Sequence, residues 1–474
     1  MSRLKVLLYN PRAVFYTMPL ALLAVGSHLD PERYEPVIVD GRLEDDPVAA
    51  VLARLDGALC VGVSVLTGGP IEDAVRISRA VKARRPDLPV VWGGWHPSLF
   101  GRECLEEPSV DVTVQAQGEI TFHEICDRLA AGGSVRELAG CAGCAYRTVD
   151  GEIRLNPPRV LLDLNGLRPH DYRLLPVERY YTLKGKRQID YISSQGCAFR
   201  CTFCADPFVY NRKWVGLAPE RMGEEIEELS RRYAFDDLSF QDETYFTYAP
   251  RVAAVAEEIL RRGVRTTWAA TMRADQGERL SEEILATCRR SGLRRVIIGV
   301  EAGSQAMMDR IKKDIKLEQV FVSAEKCRRH GVKVIFPFIV GFPEETEESI
   351  RASLDVAKRL RSMSPDFETP IFYFKPYPGS PLTDEAVQGG YTLPCTLDEW
   401  ARFDFIGSAG PWVSPEVHRR IERFKFYQRI AWAPGTPWSR PVRALARWRL
   451  RRDAYGLPVE KAVGEWLWPQ PELS

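Results

Sequence analysis

Cys197-Ala198-Phe199-Arg200-Cys201-Thr202-Phe203-Cys204 places three thiols at offsets of zero, four and seven. A loop of that length lets all three thiolates converge on one cluster, and thiolates are the usual ligands of iron in a [4Fe–4S] centre. Three ligands for four irons leave one iron open to chemistry. A zinc site needs a fourth protein ligand, and none stands nearby in the chain. The preceding run Ile189-Asp190-Tyr191-Ile192-Ser193-Ser194-Gln195-Gly196 alternates like a short strand and ends in a polar, glycine-containing turn. The cysteine loop therefore sits at the C-terminal end of a strand.

Outward from this loop, strands and helices alternate from Gln188 to about Lys375. Strands are expected at Ile189–Ser193, Asp237–Gln241, Arg265–Ala270, Arg295–Gly299, Lys333–Ile339 and Thr369–Phe374. Helices are expected at Ala218–Tyr233, Ala249–Arg262, Ser281–Ser291, Leu317–His330 and Thr346–Met363. Six such steps fit an open barrel whose strand C-termini face one cavity.

The N-terminal third repeats the alternation. Apolar runs at Leu4–Pro11, Val37–Asp40, Gly57–Val63, Pro89–Trp92 and Asp111–Val114 read as strands. The helical stretches among them are Leu20–Leu29, Pro47–Arg54, Ile71–Arg84 and Glu119–Leu129. This pattern describes a doubly wound parallel sheet, which binds ligands beyond its strand C-termini. Three loops lie there: Asp40-Gly41-Arg42, Ser64-Val65-Leu66-Thr67-Gly68-Gly69 and Gly93-Gly94-Trp95-His96-Pro97-Ser98. Glycines admit a bulky ligand to the backbone, while Ser64 and Thr67 offer small donors. No G-x-G-x-x-G dinucleotide fingerprint follows the first strand. The chain thus reads as residues 1–135, an α/β domain; 136–186, a linker; 187–385, the barrel; and 386–474, a small, mainly helical C-terminal region. Cys141 and Cys144 form a CxxC without a second pair and read as incidental. The C-terminal region carries Trp400, Phe403, Phe405, Trp412, Phe424, Phe426, Tyr427 and Trp432, which suit either a pocket at the barrel mouth or an ordinary core.

Composition narrows the field. The 474 residues are 45% hydrophobic and 27% charged, with a formal net charge of +1. That balance argues for a soluble folded protein and against a nucleic-acid partner. No apolar run reaches the length of a transmembrane segment, and Thr17–Val25 is too short for an anchor. Eleven cysteines, three of them bunched, point to a reducing cytoplasm and not to a disulfide framework.

The cysteine spacing, with Phe203 before the last thiol, resembles the cluster motif of the radical S-adenosylmethionine (radical SAM) superfamily. Gly299-Val300-Glu301-Ala302-Gly303-Ser304 is similar to that family's Gly-x-Glu-(Ser/Ala)-Gly-Ser segment. Ile339-Val340-Gly341-Phe342-Pro343-Glu344-Glu345-Thr346 resembles its turn after the fifth strand, where Thr346 also reads as a helix cap. Phe374-Lys375-Pro376-Tyr377-Pro378-Gly379-Ser380-Pro381 resembles the exit from the core. The resemblance implies a [4Fe–4S] cluster on Cys197, Cys201 and Cys204. It implies S-adenosylmethionine (SAM) near Phe203, Gln241, Asp242, Glu243, Arg273, Glu301, Gly303 and Gly341, with Tyr377 beside the substrate.

The N-terminal domain resembles the cobalamin-binding module of B12-dependent radical SAM enzymes, in the branch of the anaerobic Mg-protoporphyrin cyclase. The opening strand followed by Asn10-Pro11, the Gly93-Gly94-x-His96-Pro97 loop and the Gly118-Glu119 turn carry the likeness. It implies cobalamin contacts at Asn10, Asp40, Ser64, Thr67, Gly68, Gly93, Gly94, His96, Gly118 and Glu119. No Asp-x-His-x-x-Gly loop occurs, and His96 lies on a different loop from the expected lower ligand of cobalt. The implied function is a cobalamin-dependent radical SAM methyltransferase acting on an unactivated carbon of an apolar or polycyclic substrate. An oxidative cyclase using the same cofactors stays open, as does a non-catalytic redox sensor built on the cluster. The implied partners are a small molecule (a lipid, tetrapyrrole or natural-product intermediate) and an electron donor such as flavodoxin or ferredoxin.

Overall fold

The computed structural model describes residues 3–403, 409–433 and 440–455. They fall into two compact units. The first comprises the described parts of Met1–Met272, Leu280–Arg294 and Pro376–Phe405; the second comprises those of Arg273–Arg279, Arg295–Lys375 and Ile406–Ser474.

The first unit opens with β1 (Leu4–Asn10), β2 (Tyr34–Asp40), β3 (Ala58–Ser64), β4 (Val90–Gly93) and β5 (Val112–Val114), all parallel and ordered β2-β1-β3-β4-β5. Their alternating side chains fill two cores. Leu7, Tyr9, Val61 and Val63 face one, while Val6, Leu8 and Cys60 face the other. A parallel sheet covered on both sides needs apolar residues at both sets of positions. The covering helices are α1 (Leu20–His28), α2 (Pro47–Leu52), α3 (Pro70–Arg84), α4 (Trp95–Leu99), α5 (Gly101–Cys104) and α6 (Glu119–Ala130). Strand order reverses between β1 and β3, which opens the crevice where such sheets take ligands.

The stretch read as a linker adds to this sheet. Its strands β6 (Cys144–Arg147) and β7 (Ile153–Leu155) run antiparallel beyond β5. Further along the same unit lie β8 (Gln188–Tyr191), the hairpin β9 (Ser194–Gly196) and β10 (Trp214–Gly216), then β11 (Asp237–Phe240) and β12 (Thr267–Met272). β8, β11 and β12 are parallel neighbours in that order. The helices Pro219–Tyr233 and Ala249–Arg261 follow β10 and β11 and bury Met222, Ile226, Val252, Val255 and Ile259.

In the second unit, β13 (Leu293–Ile298, of which this unit holds Arg295 onward), β14 (Lys333–Ile335) and β16 (Phe367–Glu368) are parallel neighbours, and β15 (Phe338–Val340) pairs with β17 (Ile371–Tyr373). The sequence pattern runs β14 and β15 together as one strand, Lys333–Ile339, and begins the last strand at Thr369, so it takes in β17 and misses β16. Prolines divide β14 from β15 and β16 from β17: Pro337 and Pro370 lack the N–H a ladder needs. Their carbonyls still accept, Pro337 from Val300 and Glu301 and Pro370 from Phe338.

Four of the C-terminal aromatics serve cores. Trp400 and Phe403 join the first unit's core beside Tyr9 and Val63. Phe424 and Tyr427 are buried on the helix Pro415–Ala431. Phe405 and residues 456–474 of the C-terminal region lie outside the described residues.

Candidate active site

The cysteine loop is the tip of the β9–β10 hairpin. Gly196 pairs with Trp214 at its neck. At φ +84°, with a Cβ there only 2.3 Å from the Lys213 carbonyl oxygen, position 196 requires glycine. The polar turn expected at Ser194–Gly196 is thus a strand. Its base is pinned from β11's exit: Asp242, fully buried, accepts from Ser193 N–H at 2.8 Å, Ser193 Oγ at 2.5 Å and Ser194 Oγ at 2.6 Å. Arg251 donates from Nη2 to the Ser193 carbonyl and from Nε to the Leu217 carbonyl, both at 2.8 Å. An arginine beside Val252 and Val255 on an apolar helix face was the readable signal for this brace.

Cys197 and Cys201 are buried. Burial, then Asp206, then the two neighbouring thiols push the Cys204 thiol upward. No trio of His, Cys, Asp or Glu among the described residues converges on a single metal ion. A [4Fe–4S] cluster asks for something else, since each thiolate takes a different iron. The donor set fits it: three thiols in one loop, none of them tied in a disulfide.

Glu243 differs from its neighbour. One of its carboxylate oxygens, Oε2, is buried without a hydrogen-bond partner. Burial, aided by Asp206, pushes its pKa up to about 8. A buried carboxyl with one oxygen still unpartnered offers an acceptor to a cationic ligand group such as the ammonium of SAM. Gln241 is engaged elsewhere, donating to Asp190 Oδ1 at 3.1 Å and Ser239 Oγ at 2.9 Å. Phe203 is half-buried in the loop.

At the crevice between β1 and β3 lies a cavity of about 250 Å³. Ser64, Gly93, Gly94, Gly118 and Glu119 line it, as the sequence suggests. Leu20, Leu22 and Val25 of α1, with Leu66, Trp95 and Gln117, add walls that the sequence did not announce. Gly94, at φ +93°, would press a Cβ against Ser64 Oγ and the Val65 nitrogen, both at 3.0 Å, so glycine keeps this lip low. Such a cavity accepts part of a ligand as large as cobalamin, with the glycine-rich lip left bare for the rest. Val209 and Tyr210, just past Cys204, form its far wall, and Gln117 Nε2 donates to Gln195 Oε1 of β9 at 2.9 Å. Glu119 is buried, and burial raises its pKa.

Five expected cobalamin contacts do not line the cavity: Asn10, Asp40, Thr67, Gly68 and His96. Asp40 is held by Arg42 at 2.6 Å and by the Tyr180 hydroxyl at 2.6 Å. His96 is fully buried, shares a hydrogen bond of 3.2 Å with Thr67 Oγ1, and packs against Phe100 and Trp400. Burial lowers its pKa to about 3. Tyr377, expected beside a substrate, packs edge-on to Phe403 at 5.9 Å against the first unit's core.

Within the second unit, Arg273 is braced by Asp275 at 2.9 Å and donates to the Lys313 carbonyl at 2.6 Å. Glu301, at φ +66°, forms a buried ion pair of 2.8 Å with Lys313. Gly303 owes its identity to packing, because a Cβ there would lie 2.4 Å from the Ala352 carbonyl oxygen. Gly341 sits at φ +73° and accepts a 2.6 Å hydrogen bond from Trp412 Nε1. Thr346 caps the helix Glu347–Met363 by accepting from Ser349 N–H.

Comparison with known proteins agrees with this geometry. The Radical SAM superfamily model matches residues 191–357, and the B12 binding domain model matches residues 8–126. An uncharacterized methyltransferase of Pyrococcus horikoshii is 28% identical over 90% of this chain and 94% of its own. The cytidylyl-2-hydroxyethylphosphonate methyltransferase of Streptomyces wedmorensis is 25% identical over 82% of this chain and 83% of its own. The solved structure of the cobalamin-dependent S-adenosylmethionine radical enzyme OxsB superposes with a TM-score of 0.77 over 98% of this chain and 75% of its own, at 16% identity, a likeness of fold. The cofactors are those of the two matched domains: a [4Fe–4S] cluster and SAM for one, cobalamin for the other. With its B12 binding domain joined to a radical SAM domain, this chain is an enzyme of the B12-binding radical SAM family.

Proposed function

We propose that the protein is a cobalamin-dependent radical SAM methyltransferase acting on an unactivated carbon of an apolar or polycyclic small molecule. The observation that supports it is the shared wall. Val209 and Tyr210, from the loop that carries the three cysteines, also bound the cavity at the β1–β3 crevice. A ligand in that cavity and a cluster on Cys197, Cys201 and Cys204 are therefore neighbours within one unit. The names of the two curated relatives add weight, since both are methyltransferases.

When bound, the cluster with SAM supplies hydrogen-atom abstraction from a carbon no side-chain base deprotonates, and cobalamin supplies a methyl carrier. The chain's own residues do the rest. Cys197, Cys201 and Cys204 hold three irons. Asp242 and Arg251 fix the hairpin base so that the thiols keep their places. Glu243 takes the SAM ammonium. Ser64, Gly93, Gly94, Gly118 and Glu119 meet cobalamin, and apolar walls such as Leu66 and Trp95 keep water out.

The test is anaerobic reconstitution with iron, sulfide and hydroxocobalamin, then reduction with SAM present. Retained cobalamin together with 5'-deoxyadenosine and S-adenosylhomocysteine supports methyl transfer, and Cys201→Ala should abolish the deoxyadenosine. Deoxyadenosine without retained cobalamin sinks the methyltransferase reading.

A further inference from the structure

The helix Arg440–Arg452 holds six arginines and no acid, in a chain whose net charge is +1. Its inner side is settled. Ala446 and Leu450 are buried, and Arg449 lies over the Tyr427 ring at 5.4 Å. Arg447 Nε donates to the Ala431 carbonyl at 3.0 Å and Arg443 Nη1 to the Ala433 carbonyl at 3.3 Å. Asp453, the next acid in the chain, is taken by Lys358 at 3.1 Å.

The outer side is built differently. Val442, Leu445 and Trp448 are 50%, 40% and 52% exposed. Their three-residue spacing gathers them on one side of the helix. Arg440, Arg451 and Arg452 flank them, exposed and without an acidic partner among the described residues. A solvated helix face has no need of an indole and two aliphatic side chains.

We propose that this face docks on an anionic lipid bilayer surface. Its two chemistries match the two layers of such a surface. Val442, Leu445 and Trp448 enter the headgroup–acyl boundary, while the arginines meet lipid phosphates. A nucleic acid would use the arginines and leave Val442 and Leu445 idle, because its outer surface is phosphate. No described helix is long and apolar enough to cross a membrane, so the contact is peripheral. The proposal stands apart from the reaction inferred above.

Co-sedimentation of the full chain with vesicles tests it. Binding to phosphatidylcholine vesicles containing phosphatidylglycerol is expected, with at least about tenfold weaker binding to phosphatidylcholine alone. Arg451→Glu/Arg452→Glu should lose about tenfold or more in affinity, and Trp448→Ser should also weaken binding. Arg451→Lys/Arg452→Lys keeps the charge and should keep the binding, which separates loss of charge from loss of fold. Absence of binding to the anionic vesicles overturns the proposal. So does equal binding by the glutamate variant. So, too, does Trp448→Ser binding unchanged alongside equally tight capture of a single-stranded oligonucleotide.

Discussion

Asp242 and Glu243 are adjacent carboxyls with different work. Asp242 accepts three hydrogen bonds in a fully buried setting. Asp242→Ala strands those donors and should destabilise the protein by about 3 kcal/mol, read from urea denaturation. Glu243 has an unpartnered oxygen instead. Glu243→Gln should therefore leave stability nearly unchanged while weakening SAM binding about tenfold, measured by equilibrium dialysis on reconstituted protein. The reverse pattern would exchange their roles. His96 shows what burial does to a base. Its folded-state pKa lies near 3 and its ordinary value is 6.5, so the unfolded chain takes the proton first. Stability is thus complete above pH 6.5 and declines as pH falls. The loss from this residue at pH 5 should be about 2 kcal/mol. Urea denaturation at pH 7 and pH 5 should show a smaller decline for His96→Phe than for the parent protein.

At the scale of elements, the β9–β10 hairpin shapes the cysteine loop. Gly196→Ala drives a methyl into the Lys213 carbonyl at the hairpin neck. It should cost about 2 kcal/mol or more and lower the iron retained after reconstitution; full retention would show that the neck does not shape the loop. β4 ends at Gly93, where an added Cβ meets nothing closer than 3.8 Å. Gly93→Phe can therefore fill the cavity without disturbing the sheet, and retained cobalamin should fall about tenfold while bound iron stays constant. Helix and strand periodicity made most elements legible, from β1 to the helix Glu347–Met363. The hairpin was not legible, since three-residue strands carry no period and their pairing depends on Asp242 and Arg251 from distant parts of the chain.

For the whole molecule, the first unit combines the seven-stranded sheet, the cysteine loop and a late segment. Leu382 N–H, from that segment, donates to the Thr202 carbonyl inside the cysteine loop at 3.0 Å. None of the three cysteines lines the cavity. Cys201→Ala should accordingly lose the cluster yet still retain cobalamin, as spectra of the reconstituted variant would show; simultaneous loss of both would mean that the two sites fold as one. The two α/β patterns were open to reading because each rests on local periodicity, and the cluster because it rests on cysteine spacing; SAM and cobalamin were implied by the family resemblance of the motifs. The C-terminal aromatics were ambiguous because an apolar ring suits a core and a pocket equally.

The sequence alone determined the chemistry available: three thiols at cluster spacing, a glycine-rich crevice and two alternating α/β patterns. These are properties of spacing and side-chain type, which do not depend on what lies across the fold. The tertiary structure decided which polar groups remain free. Asp40, Gln241, Asp242 and Arg273 meet partners remote enough, or turned sharply enough, that no local pattern announces them, whereas Glu243 retains an unpaired oxygen. A carboxyl's role follows from who satisfies it, and burial brings those partners together only when the chain has folded.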